Sequence, residues 1–173
     1  MEQKRKTSEF RDGVTGTTGP YGERTKTLFH ALRDMAGLDS ETLARMLGLS
    51  GPQWIHRWER DGQQDPPLDA WQTVENAAKR HWELVNAILH RVHEQDMPEG
   101  TRIDLTYYRS QAEYDRYGRD RGPYRKVNAV SMHAGLLLTQ AGYEVAYVAP
   151  QGLPPVERAG IRLTRDSGAS GRI

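Results

Sequence analysis

Arg57, with Gln53 one helical turn before it and Arg60 nearly one turn after, heads the grouping in this sequence best suited to a specific chemical task. A guanidinium offers two parallel N–H donors that match O6 and N7 of guanine, and a primary amide matches N6 and N7 of adenine. At helical spacing Gln53, His56 and Arg57 share one face, while Ile55 and Trp58 take the other. His56 suits a base edge or a phosphate, and Arg60 suits a phosphate. Ser40, at the start of a preceding helix, suits a phosphate oxygen with help from backbone N–H groups. The same residues also describe an ordinary solvated surface, so the framework around them must decide.

A second basic group comprises Arg116, Arg119, Arg121, Arg125 and Lys126, interleaved with Tyr114, Tyr117 and Tyr124 and opposed only by Asp115 and Asp120. Arginine beside stackable aromatic rings in a flexible loop suits single-stranded nucleic acid. It equally describes a solvated loop between helices. His90 and His93 lie three apart on one helix face, without the carboxylate of a zinc-protease motif between them. The glycines from Gly13 to Gly22 follow no strand, so they are not a phosphate loop. No nucleophile elbow or paired-carboxylate arrangement is recognisable. No catalytic residue, metal site or cofactor is assigned, and an enzyme is not expected.

Composition narrows the class further. The 173 residues allow one ordinary domain or two small ones. No cysteine is present, which removes disulfides, thiolate zinc sites and thiol nucleophiles together. No run approaches the length of a membrane span, and Met1–Lys6 is charged with no apolar segment behind it, so a cytoplasmic protein is expected. A net charge of +1, with acids and bases equal in number from Thr25 to Gln64, neither favours nor excludes a phosphate-binding face.

The elements that must position these residues follow from periodicity. Residues 1–22 lack it and are expected to form a flexible arm. Leu28, Ala31, Leu32, Met35 and Ala36 mark a helix that Gly37 ends. Asp39 or Ser40 caps a second, carrying Leu43, Ala44 and Leu47 and stopping at Gly48. A third begins near Gly51-Pro52, carries Ile55 and Trp58, and ends before Asp61-Gly62. Two short helices joined by such a turn predict a helix-turn-helix. Trp58 is assigned to the core. Trp54 either packs on the second helix or touches a thymine methyl or sugar. Arg33 and Glu59 are expected to pair as scaffold.

A long helix follows from Leu68 or Asp69 to about His93, with Trp71, Val74, Ala78, Trp82, Val85, Leu89 and Val92 along one seam. Ile103, Leu105 and Tyr107 alternate with polar neighbours as in a half-buried strand. A short helix capped by Ser110, a helix from about Tyr124 to Ala141 and a strand at Tyr143–Val148 complete the order. The expected fold is mainly α, with a helix-turn-helix bundle over residues 23–97 that includes the long connecting helix. A small α+β domain of two strands and two helices spans 98–149, and a disordered tail spans 150–173 with at most a strand at Ile161–Leu163. A two-stranded sheet is marginal alone, which favours pairing with a second copy.

The run Leu32-Arg33, Gly37-Leu38, Leu43-Ala44, Leu47-Gly48, Ile55, Trp58-Glu59, Gly62 and Pro66 resembles the Cro/repressor-type helix-turn-helix family over about forty residues. This sequence has one residue more than usual between the turn glycine and the Trp-Glu pair. Counting back from Trp58-Glu59 gives Gly51 the helix-cap position, with Pro52, Gln53 and Arg57 base-facing. Counting forward from Gly48 gives the cap to Ser50. The order of elements from Thr25 to Val148, with Ile103–Tyr108, Glu113-Tyr114 and Asn128–Val148, is similar to the anti-CRISPR-associated regulators and their YdiL-like relatives. That resemblance implies a homodimer that binds an inverted repeat in double-stranded DNA and represses its own operon, in a bacterial or phage-infected cell. Some members also bind their own messenger RNA.

The expected function is therefore a sequence-specific, dimeric DNA-binding repressor reading through Gln53, His56 and Arg57, with Ser40, Gly51 and Arg60 toward phosphates. The alternatives are an RNA-binding translational regulator using Arg116 to Lys126, or an antitoxin or adaptor for a protein partner.

Overall fold

The computed structural model describes residues 18–118, 120, 122–150 and, for the backbone, 161–163. The protein is mainly α-helical with a small amount of sheet, and it divides into two units, Met1–Lys79 and Arg80–Ile173.

The first unit begins with a two-stranded antiparallel hairpin, β1 (Thr18–Gly19) and β2 (Gly22–Glu23). The end of the expected flexible arm is thus structured, while residues 1–17 lie outside the described residues. Helix α1 (Lys26–Met35) starts at Thr25, whose hydroxyl accepts from Leu28 N at 3.1 Å. It ends at Gly37, where the N–H groups of Gly37 and Leu38 bond back to Asp34 O and Arg33 O at 2.9 and 3.0 Å. Helix α2 (Ser40–Met46) is capped by Asp39, whose Oδ1 accepts from Thr42 N at 2.7 Å. It closes in the same fashion, with Gly48 N to Arg45 O and Leu49 N to Ala44 O. Gly48 has φ +66, a conformation that costs L side chains a steric penalty. Helix α3 (Gln53–Glu59) follows.

Phe29 holds this unit together. It is fully buried, with its ring edge-on to Trp71 at 5.2 Å and to Trp58 at 6.4 Å. Leu32, Leu43, Ala44, Ile55, Val74 and Ala78 surround it. Among the apolar positions expected on α1, Ala31 is exposed and Phe29 takes its place on the inward face. The amphipathic stripe is therefore turned by part of a helical turn from the one expected.

Helix α4 (Leu68–Glu94) contains the boundary between the units. The expected helix-turn-helix domain runs to residue 97. Beyond residue 79, Val85 packs with Val130 and Ala134, and Val92 with Ile103, Leu105 and Leu138.

The second unit continues through β3 (Arg102–Thr106), α5 (Gln111–Tyr117), α6 (Tyr124–Gln140), β4 (Glu144–Val148) and β5 (Ile161–Leu163). The sheet has three strands in the order β4-β3-β5, not two. β3 runs parallel to β4, with Ile103 opposite Val145, and antiparallel to β5, with Leu105 opposite Ile161. So residues 161–163 of the expected tail belong to the sheet, while 151–160 and 164–173 lie outside the described residues. As the central strand, β3 is buried on both faces rather than alternately: Ile103, Asp104, Leu105 and Thr106 are all enclosed. Asp104 meets Arg102 Nε at 2.9 Å.

Helix α6 is fixed to the end of β3 by side chains that replace water for main-chain groups. Asn128 Oδ1 accepts from Tyr108 N at 2.9 Å and its Nδ2 donates to Tyr108 O at 2.7 Å. Ser131 Oγ donates to Thr106 O at 2.9 Å. A Cβ on Gly135 would collide with the Tyr147 hydroxyl, so the absence of a side chain there lets β4 approach the helix.

Candidate nucleic-acid interface

Helix α3 carries the residues that sequence reasoning singled out, and its orientation is set by what it buries. Ile55 and Trp58 face the core, whereas Gln53, His56, Arg57 and Arg60 are exposed. The helix therefore presents its polar candidates on a common outward side.

The acidic residue of the helix is turned away from that side. Glu59 Oε1 accepts from Arg33 Nε at 2.6 Å, and Glu59 Oε2 lies 3.1 Å from His30 Nδ1. Arg33 also donates to Leu38 O at 2.7 Å, tying the pair to the turn between α1 and α2. The expected Arg33–Glu59 scaffold pair is present, with one consequence for function. With Glu59 neutralised inward, the outward strip from Gln53 to Arg60 carries two guanidiniums and no carboxylate. Among the described residues, no carboxylate pairs with Arg57 or Arg60. A near-neutral chain can thus still offer a locally positive surface.

The turn into α3 resolves the two ways of counting its cap. Neither Ser50 nor Gly51 is the cap; Pro52 is, at φ −67 and ψ −14, and no side chain caps the helix. Ser50 instead accepts a hydrogen bond from Trp54 Nε1 at 3.2 Å. The Arg57 guanidinium lies over the Trp54 ring, 5.2 Å from its centroid, and Trp54 packs partly against the core. Trp54 is thus packed in part against the core to which α2 contributes Leu43 and Ala44.

Ser40 is half-buried in the first turn of α2, and the Asp39 carboxylate accepts from the N–H of Thr42 in the same turn. A negative charge at that helix start weighs against a phosphate beside Ser40.

Sequence reasoning missed the clamp behind α3. Lys26 Nζ donates to Arg60 O, Gln63 O and Gln64 O at 2.9, 2.6 and 3.0 Å, and lies 3.3 Å from Asp65. One ammonium from α1 thus gathers the carbonyls that leave α3. Arg24 grips Glu75 through two bonds of 2.8 Å, fixing the start of the first unit to α4. Neither contact has a local signature, since the partners lie 34 or more residues apart.

In the second basic group, Arg116 lies over Tyr117 at 5.2 Å and Arg125 over Tyr124 at 5.6 Å. Both arginines are exposed, and Lys126 is half-buried. Arg119 and Arg121 lie outside the described residues. Tyr114 is not a stacking platform. It is buried edge-on to Tyr108 and donates its hydroxyl to Asp120 Oδ1 at 2.8 Å. Burial, and then that hydrogen bond, push its phenol pKa up. Gln111 reaches across to Gly122 O and accepts from Tyr124 N. The described part of this loop is thus pinned at both ends.

Among the described residues, no cluster of three or more His, Asp or Glu could hold a metal ion, and no helix is long and apolar enough to cross a membrane. No family model matches the chain, and no curated protein matches it in sequence.

Proposed function

We propose that this chain is a sequence-specific DNA-binding transcriptional regulator, acting as a dimeric repressor at an inverted-repeat operator, with α2 and α3 working as a helix-turn-helix. The observation that carries the reading is the outward strip of α3. Gln53, His56, Arg57 and Arg60 are exposed together while Glu59 is held inward by Arg33. In this reading Arg57 pairs with guanine, Gln53 with adenine, His56 meets a base or a phosphate, and Arg60 meets a phosphate. Dimerisation through the second unit has a physical motive. Met132, Leu136 and Tyr147 are large apolar residues between 48% and 64% exposed, and the Tyr147 hydroxyl lies 3.4 Å from Met132 O. A second copy covering this surface would remove it from water.

The test is selection of bound duplexes from a random pool, using the full chain at fixed salt. A palindromic product with half-sites about ten base pairs apart, or a multiple of that, is expected. A pool that yields no enriched sequence would sink the proposal.

A second reading, recognition of single-stranded RNA, draws on the exposed Arg116 and Arg125, each beside a half-buried tyrosine, Tyr117 and Tyr124. It expects Arg116→Ala with Arg125→Ala to abolish RNA binding and spare DNA binding.

A further inference from the structure

Trp54, Arg57 and Ser50 form a three-membered arrangement that the assignment of base contacts does not use. Trp54 Nε1 donates to Ser50 Oγ at 3.2 Å, which fixes the polar edge of the indole. Part of the ring packs on the core of the first unit, which fixes its tilt. On this held ring lies the Arg57 guanidinium, 5.2 Å from the centroid.

We propose that Trp54 is a positioning residue that holds Arg57 ready to read guanine, with Ser50 locking the platform. The inference rests on the DNA-binding reading given above. Stacking uses the face of a guanidinium, while recognition of O6 and N7 uses its edge, so both can be satisfied together. A free arginine must give up several rotatable bonds on binding, whereas one already laid on a ring gives up fewer. The platform depends on the spacing of its three members. Ser50 stands four residues before Trp54, where its hydroxyl reaches the indole N–H, and Arg57 stands three residues after, on the same helix face.

The test compares wild type with Trp54→Leu, Trp54→Phe, Ser50→Ala and Arg57→Ala in the full chain, on a selected duplex and on its single-base variants at fixed salt. Circular dichroism establishes that each protein is folded at the temperature used. Trp54→Leu should reduce discrimination at the base pair that Arg57→Ala affects, by about two- to tenfold, and leave the other positions unchanged. Trp54→Phe should retain most of it, Ser50→Ala should fall between, and Trp54→Leu should add nothing in the Arg57→Ala background. In the DNA-free protein, the Trp54 indole N–H resonance should move in both Ser50→Ala and Arg57→Ala.

If Trp54→Leu weakens binding to all sequences equally, or leaves discrimination intact while Arg57→Ala removes it, the positioning role is overturned and the DNA reading stands. Should Arg57→Ala change discrimination nowhere, the positioning role and the assignment of Arg57 as a base reader fall while DNA binding stands; if no duplex is selected, the DNA reading falls with them. An unmoved Trp54 resonance in Arg57→Ala overturns the stack by itself. A fold-related loss alone would leave the other base pairs no better discriminated than this one, so the single-position readout separates positioning from stability.

Discussion

Arg33 on α1 and Glu59 at the end of α3 meet at 2.6 Å with 7% and 12% of their side chains exposed, so an ion pair joins the apolar contacts of Ile55 and Trp58 in fixing the end of α3. A buried pair adds little net stability, because desolvation offsets the attraction. Removing one partner is different, since it strands the other charge. Arg33→Ala also strands the Leu38 carbonyl. Either Arg33→Ala or Glu59→Ala should cost about 3–5 kcal/mol in urea denaturation. The Arg33→Met, Glu59→Leu double variant should recover much of that loss, and a double variant as unstable as the singles would contradict the account.

Arg57→Ala is expected to weaken binding to a selected operator by about 1–3 kcal/mol and to relax the preference at one base pair. Arg60→Ala should weaken all sequences alike and reduce the salt slope by about one unit. Competition titrations at several salt concentrations separate the two. Equal effects on sequence preference would refute the division between base and phosphate contacts.

Acid should destabilise the second unit through His81. Its Nε2 lies 2.9 Å from His133 Nδ1, the residue is 3% exposed, and its Nδ1 has no partner among the described residues. Burial, and then the neighbouring His133 ring, push the His81 pKa from 6.5 down to about 4. The unfolded chain therefore takes up this proton before the folded one does. The stability it contributes is complete above pH 6.5, is lost as pH falls toward 4, and is level below that. The span is on the order of 3 kcal/mol. Urea midpoints measured across that interval should slope less in His81→Gln, which removes the titration and keeps a group for His133.

Gly48→Ala should cost about 1–2 kcal/mol, because φ +66 is unfavourable for a side chain even though open space surrounds the added methyl. Gly48→Asn should lose less, since asparagine tolerates this region. Thermal unfolding of both variants tests the order, and a Gly48→Ala protein as stable as wild type would refute it.

Lys26→Met should loosen the segment after α3. With three carbonyls released, the amides from Arg60 to Asp65 should exchange faster with deuterium while those of α1 hold their protection. Unchanged exchange there would mean that Pro66, which is fully buried, anchors the segment without help.

Local signals account for what could be seen beforehand. The caps at Asp39 and Ser110 and the stop at Gly37 sit within a few residues of the bonds they make. Ile55 and Trp58 were legible as the inward side of α3 because they stand three residues apart on one face, with Trp54 at its margin. Phe29 was missed because Ala31 completes an equally good helical stripe, and only the positions of Trp58 and Trp71 decide between them. His81–His133, Lys26 with its carbonyls and Asn128–Tyr108 join residues 20 or more apart, so nothing in either neighbourhood announces the other. For β5, the strand at Ile161–Leu163 was legible as a short β-prone run, but its pairing with β3 was not. At the candidate interface the exposed residues were legible one by one. The seclusion of Glu59 and the stack of Arg57 on Trp54 needed coordinates.

The parallel pairing of β3 with β4 has a consequence in time. Ile103 lies opposite Val145, so the central strand waits 42 residues for its neighbour. At synthesis rates of about 5–20 residues per second that interval is about two to eight seconds. For as long, Ile103 and Leu105 lack the β4 half of their sheet, whereas every helix of the first unit has been made. Pairings between distant residues also close slowly once the chain is complete. The order of birth therefore makes the sheet the late step in maturation, and its unpaired apolar strand is the segment a chaperone would meet.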